Sequence, residues 1–229
     1  MLTVAGMQRE FFVQLPDNYV ANRPYPVVFQ FHPLGGNATQ AMTMYGVRPN
    51  FPEAIYTAPN GLVSGSNRGF ANTNGQDEAL VLAMMADIEA KYCVDKARYY
   101  ATGFSYGGSM SFTAACNMST VFRAIGAMAG APISGARCST RAPERPVAFW
   151  ATHGTADTAL SIDLAIPIRD AFVTKNGCSM TTRAVEPSPC VAYDGCMAGY
   201  PVVWCPREGE GHSIPTFSRT AIANFFKQF

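Results

Sequence analysis

One junction constrains this chain more than any other: Arg98-Tyr99-Tyr100-Ala101-Thr102 feeds straight into Gly103-Phe104-Ser105-Tyr106-Gly107-Gly108. The first run has the aromatic and apolar character of a strand, and Tyr106 to Asn117 that of a helix. Glycines two before and two after Ser105 leave room for a sharp turn between them. That turn holds the serine in a strained conformation and pushes its hydroxyl out of the sheet. A strand that turns at once into a helix is the repeating unit of a layered α/β structure.

The rest of the chain repeats the alternation. Arg9 to Leu15 has the period-two pattern of an edge strand. Pro26 to Phe31, Ala54 to Ala58, Arg98 to Thr102, Phe122 to Met128, Pro146 to Thr152 and Tyr200 to Cys205 follow as strands, several apolar throughout as in a sheet covered on both faces. Helices are expected over Glu78 to Lys91, behind Asp77 as N-cap and with Leu82, Met85 and Ile88 facing inward, and over Tyr106 to Asn117, Pro167 to Asn176 and Ser218 to Phe226. With no repeat and no linker, residues 1–229 read as one domain with a mostly parallel sheet and no large lid. Two segments stand out as long connections. Residues 60–76 are rich in Gly, Asn and Ser, and residues 177–199 hold three of the seven cysteines.

Hydrophobic residues make up 48% of the chain and charged residues 14%, with a net charge of +1. That balance suits a packed globule and offers nothing to nucleic acid or to an acidic membrane surface. No apolar run approaches the ~20 residues of a membrane helix. Met1-Leu2-Thr3-Val4 leads into a strand pattern without a signal peptide, which fits either a cytosolic chain or a mature segment lacking its leader. Low charge and clustered cysteines without C-x-x-C spacing favour disulfides over zinc, and so an extracellular setting. The triplets Asn37-Ala38-Thr39 and Asn117-Met118-Ser119 agree with secretion.

Gly103-Phe104-Ser105-Tyr106-Gly107 is a G-x-S-x-G nucleophile elbow. Asp157 lies downstream in His153-Gly154-Thr155-Ala156-Asp157, and His212 follows in Gly209-Glu210-Gly211-His212. Ser, then Asp, then His is the chain order of α/β-hydrolases. A serine hydroxyl needs a base to remove its proton, a task for His212, with Asp157 fixing the tautomer and stabilising the imidazolium. Asp163 is the alternative acid, and His153 or His32 the alternative base. Both histidines read more simply as side chains satisfied by loop backbone, and Glu208 and Glu210 as solvated charges. Developing negative charge on the substrate needs two backbone N–H donors. One is Tyr106, after the nucleophile. The other comes from Phe31-His32-Pro33-Leu34-Gly35-Gly36, where Pro33 has no N–H, leaving Leu34 first and Gly35 second. The scheme requires neither a metal nor an organic cofactor.

With these residues placed, the chain resembles the secreted feruloyl and acetylxylan esterases of carbohydrate esterase family 1, the fungal type related to polyhydroxybutyrate depolymerase-like esterases. Leu15-Pro16-Asp17-Asn18-Tyr19, Arg23-Pro24-Tyr25-Pro26, Ala58-Pro59-Asn60-Gly61, Gly69-Phe70-Ala71-Asn72, Asp87-Ile88-Glu89, Phe122-Arg123-Ala124 and Asn176-Gly177-Cys178 carry the likeness, together with the elbow and the Asp157 and His212 segments. The resemblance implies Ser105, Asp157 and His212 as a triad acting on feruloylated or acetylated plant polysaccharide. It implies a Cys178–Cys196 disulfide, and suggests Cys93–Cys116 and Cys190–Cys205 with Cys138 left over. The acyl group is expected between residues 60–76 and 177–199, with Phe70 as a contact. Tyr106 stands where relatives often have Trp, and Pro33-Leu34 replaces the usual Gly or aromatic residues. Both changes border the acyl pocket. Acetylxylan esterase, polyester depolymerase, acyltransferase and a catalytically silent binding protein are the competing readings.

Overall fold

The computed structural model describes residues 1–133, 138 and 142–229. In chain order the strands are β1 (Leu2–Val4), β2 (Met7–Arg9), β3 (Phe11–Gln14), β4 (Tyr25–Phe31), β5 (Ile55–Pro59), β6 (Leu62–Ser64), β7 (Asn67–Gly69), β8 (Val94–Phe104), β9 (Phe122–Met128), β10 (Ala148–Gly154), β11 (Thr182–Ala184), β12 (Val191–Tyr193) and β13 (Val202–Arg207). The helices are α1 (Ala38–Met44), α2 (Gln76–Lys91), α3 (Tyr106–Asn117), α4 (Ile166–Lys175) and α5 (Ser218–Phe226).

Nine strands form one sheet in the order β11-β12-β13-β10-β9-β8-β4-β5-β3. The six from β13 to β5 run parallel, and antiparallel strands close both edges. This is the α/β-hydrolase architecture that the residue pattern anticipates. The parallel strands β4, β9 and β10 are buried almost throughout, because helices cover both faces. On the α2, α3 and α4 side, Phe112, Phe149 and Phe172 stack in a row at 5.7 and 5.1 Å between centroids. On the other side α5 lays Phe226 flat on Tyr100 at 4.7 Å.

The parallel register decides where the chemistry sits. Phe31 of β4, Phe104 of β8, Gly154 of β10 and Arg207 of β13 all end at the same edge of the sheet. The loops that follow carry residues 32–36, Ser105, Asp157 and His212, so segments far apart in sequence share one rim.

Several expectations change on contact with the structure. The N-cap of α2 is Gly75, at φ 72°, and not Asp77. Asp77 is buried within the first turn, where its carboxylate takes the Arg9 guanidinium at 2.6 Å and the Asn72 N–H at 3.0 Å. Leu82 faces solvent, and α2 buries Leu80, Val81, Met84, Met85 and Ile88 instead. The long connection over residues 60–76 contains the β6–β7 hairpin. Cys116 is bonded to Cys138, so the Cys93–Cys116 pair does not exist and Cys93 is the free cysteine. Cys93 is instead held by its backbone at the entry to β8: its N–H donates to the Tyr19 hydroxyl and its carbonyl accepts from Tyr25. The expected Cys178–Cys196 and Cys190–Cys205 bonds are present.

Candidate active site

Ser105 stands between β8 and α3 at φ 57° and ψ −120°, a conformation that a non-glycine residue adopts only under constraint. The constraint is visible on both sides. Its N–H donates to Met128 O at the end of β9, and its carbonyl accepts from the Ser109 N–H and hydroxyl. The glycines of the elbow serve close approach. A Cβ on Gly103 would collide with the Gly107 backbone, and one on Gly107 with the Phe31 carbonyl. Strand end, helix start and the neighbouring β4 therefore meet in a space that admits no side chain. The Tyr45 hydroxyl fastens the two strand ends, donating to Phe31 O at 2.5 Å and accepting the Phe104 N–H at 3.3 Å.

His212 and Asp157 are brought together. The ring Nδ1 lies 2.6 Å from Asp157 Oδ2, and the ring lies tilted by 37° against Phe104, the residue before the serine, at 4.6 Å between centroids. The carboxylate is buried and its second oxygen accepts the Ala159 and Leu160 N–H groups, each at 2.9 Å. Burial alone would push this carboxyl up. The Leu160 N–H, the His212 ring and the Ala159 N–H outweigh it and hold the group below its usual range. Asp163, the alternative acid, is exposed in the short 3-10 turn Ile162–Leu164, where its side chain pairs with Ser161.

The Asp157 and His212 loops are zipped to each other. Thr155 N–H donates to Arg207 O, Ala156 N–H to Glu210 O, and Gly209 N–H to the Thr155 hydroxyl. A residue that pattern reading overlooked completes the brace. Arg207 is fully buried, and its guanidinium reaches Glu210 Oε2, the Ser213 hydroxyl at 2.9 Å and Ser213 O at 3.0 Å. These bonds bracket His212 from both sides. Glu210 is accordingly an ion-pair partner and not simply a solvated charge. No local sequence signal marks Arg207, because its partners are defined by the loop's path and not by spacing.

The other two histidines are spent on backbone. His32 is buried, its Nδ1 on Pro33 O at 2.7 Å and its Nε2 accepting the Gly61 N–H at 3.0 Å. Burial lowers its pKa. His153 is equally buried, with Nε2 2.8 Å from Leu160 O, and burial lowers its pKa too.

The candidate oxyanion donors divide. Tyr106 opens α3, where the first N–H groups have no partner within the helix. Gly35 is ruled out: its N–H donates to Arg68 O at 2.8 Å. Leu34 remains, on a loop pinned through His32 and through the Gly36 N–H on Pro33 O.

A cleft of about 420 Å³ opens beside Tyr106. Leu34, Leu62, Val63, Gly69, Ala71 and Tyr106 give it an apolar wall, with Asn67, Thr73 and Gln76 at its polar side. The Tyr106 ring lies so close over Gly69 that a Cβ there would strike it. Phe70 does not reach this space: it is fully buried, packed on Phe31 at 5.4 Å and His32 at 4.6 Å. Phe70 follows the end of β7 and turns toward the core, while its neighbours Gly69 and Ala71 line the cleft. Residues 177–199 do not form the second wall. Their strands β11 and β12 extend the sheet beyond β13, at its far edge.

Comparison with known proteins agrees with this architecture. Residues 3–188 match the family model described as "Putative esterase". A feruloyl esterase D from Neurospora crassa is 36% identical over 90% of this chain and 75% of its own length. A feruloyl esterase C from Emericella nidulans is 34% identical over 85% and 78%. Among solved structures, an acetyl xylan esterase from Aspergillus awamori superposes with a TM-score of 0.71 at 16% identity, covering 96% of this chain and 94% of that one. A CE1 ferulic acid esterase from Anaeromyces mucronatus, in complex with ferulic acid, gives 0.67 at 19% identity over 99% and 86%. The two structures share the fold, and the two sequence relatives carry the family: this chain belongs to the esterase family and is a carboxylic ester hydrolase of the α/β-hydrolase fold.

Proposed function

We propose that this protein is a serine esterase that releases ferulic acid-type hydroxycinnamoyl groups from plant cell-wall polysaccharide. The observation that carries the chemistry is the His212–Asp157 contact at 2.6 Å, with the imidazole laid against the residue that precedes a strained Ser105. Asp157 accepts from Nδ1–H, which leaves Nε2 as the basic nitrogen to take the Ser105 proton. The hydroxyl oxygen attacks the ester carbonyl, and the tetrahedral oxyanion is met by the Tyr106 and Leu34 N–H groups. His212 then gives that proton to the departing ester oxygen as its bond to the acyl carbon breaks, which frees the sugar hydroxyl. Water, activated by the same nitrogen, releases the acid from Ser105.

The relatives' feruloyl esterase activity and the apolar cleft support the acyl choice. An aromatic acyl group has Leu34, Leu62 and Val63 to cover it, whereas acetyl would leave that wall unused. Polysaccharide as the natural substrate and secretion as the setting belong to the same proposal, supported by three disulfides in a chain of this length. Competitive kinetics with methyl ferulate, acetylated xylan and hydroxybutyrate oligomers test it. The expected result is a kcat/KM for the ferulate at least ~10-fold above the others. Preference for acetylated xylan or the oligomers would retire the hydroxycinnamoyl assignment while keeping the esterase.

A further inference from the structure

His153 is a buried titratable group for which the reaction above has no task. It lies within the last turn of chain before Asp157, at the end of β10. Its Nε2 faces two acceptors, Leu160 O at 2.8 Å and Asp157 Oδ2 at 3.2 Å. Neither acceptor has a hydrogen to give, so the proton resides on Nε2. Nδ1 is buried and has no hydrogen-bond partner among the described residues.

The same residue that His153 grips by its carbonyl grips the acid by its N–H. Leu160 N–H donates to Asp157 Oδ1, beside the Ala159 N–H. His153, Leu160 and Asp157 therefore close a ring. The imidazole fixes the Leu160 carbonyl, the Leu160 N–H fixes Oδ1, and Oδ2 lies between His153 Nε2 at 3.2 Å and His212 Nδ1 at 2.6 Å. Without the imidazole, the carboxylate would depend on an irregular turn between Gly154 and Ile162.

We propose that His153 is a positioning residue, held neutral as its Nε2–H tautomer, that aims Asp157 at His212 by clamping Leu160. Three charged or titratable groups face it: Asp157 from the following turn, His212 from the adjoining loop and Arg207 from β13. Asp157 favours a second proton, whereas Arg207 and His212 oppose it. Such a proton on Nδ1 would also place a charge and an unpaired N–H in the interior. This inference rests on the serine esterase reading for the role of Asp157, but not for the tautomer.

The test pairs His153→Leu, which removes the donor, with His153→Gln, whose amide N–H replaces it. In His153→Leu the kcat on methyl ferulate is expected to fall at least ~10-fold with KM within about twofold. His153→Gln should recover most of the rate. A folded His153→Leu enzyme with unchanged kcat overturns the proposal. Equal loss of kcat in both folded variants also overturns it, by showing a packing role alone. Should neither variant fold, nitrogen NMR of the wild-type histidines decides. A protonated Nε2 and bare Nδ1 at about pH 7.5 are expected, and a proton on Nδ1 at that pH contradicts the proposal. Failure of the esterase reading would appear separately, as no covalent labelling of Ser105 in the wild-type protein.

Discussion

The two sides of the rim around Ser105 are built differently. On one side, Asp157 and His212 sit on loops zipped together by backbone bonds and braced from below by His153 and a buried Arg207. On the other, Leu34 and Val63 stand 56% and 64% exposed along a cleft whose outer wall is a three-residue-per-strand hairpin. Proton transfer tolerates little displacement, so the acid–base side is over-determined. Acyl recognition relies on apolar contact and shape, which an open, lightly built wall supplies and which substitution readily alters. Damage to the braced side should therefore appear in kcat, and damage to the cleft in KM and acyl preference.

The largest effect expected is from Asp157→Asn. It keeps the shape but reverses the hydrogen-bonding preference toward Nδ1, so kcat should fall about 10³- to 10⁴-fold with KM little changed. A loss smaller than ~10-fold in steady-state kinetics would remove Asp157 from the mechanism. Next comes Arg207→Met. Losing the bonds that this buried guanidinium makes to Glu210 and Ser213 should cost about 1–2 kcal/mol and lower kcat by roughly 10-fold as His212 loses its frame. Calorimetry and kinetics together check this, and a destabilised enzyme of normal kcat would show that the brace serves folding only.

On the cleft side the expected changes are smaller and of another kind. Leu34→Ala and Val63→Ala should raise KM for methyl ferulate by about two- to five-fold, with kcat nearly constant. Both keep the backbone N–H groups. A kcat loss as large as that of Arg207→Met would erase the contrast between the two sides.

The smallest effect is on stability against pH. His32 and His153 are depressed by burial, so the unfolded chain takes up protons first as pH falls below about 6.5, the ordinary histidine value. Their contribution is full above that pH and is lost on going below it. Asp157, also depressed, contributes above its unfolded value near 4 and loses that contribution only under stronger acid. The melting temperature should thus begin to fall between about pH 6.5 and about pH 5. A flat profile across that interval would contradict neutral burial of the two histidines.

What could be read in advance follows the range of the interactions involved. The helix at Tyr106–Asn117 and the strand before it were legible because the glycine spacing around Ser105 encodes the turn locally. The last helix was legible at Ser218–Phe226 for a similar reason, an apolar stripe at helical period. Asp77 was misread because its partner, Arg9, lies 68 residues away. Leu82 was misread because positions 81, 84 and 88 form as good a stripe as 82, 85 and 88, and only packing chooses between them. Phe70 looked like a site residue by proximity, and packing on Phe31 and His32 holds it in the core. The pairing of Cys116 with Cys138 had no local mark at all.

Catalysis depends on an activated Ser105 hydroxyl, and a fluorophosphonate followed by peptide mass mapping tests that most directly. We predict stoichiometric labelling on Ser105 that is abolished in Ser105→Ala and slowed at least ~10³-fold in His212→Ala. A folded wild-type protein that stays unlabelled, or that is labelled equally fast without His212, would contradict it.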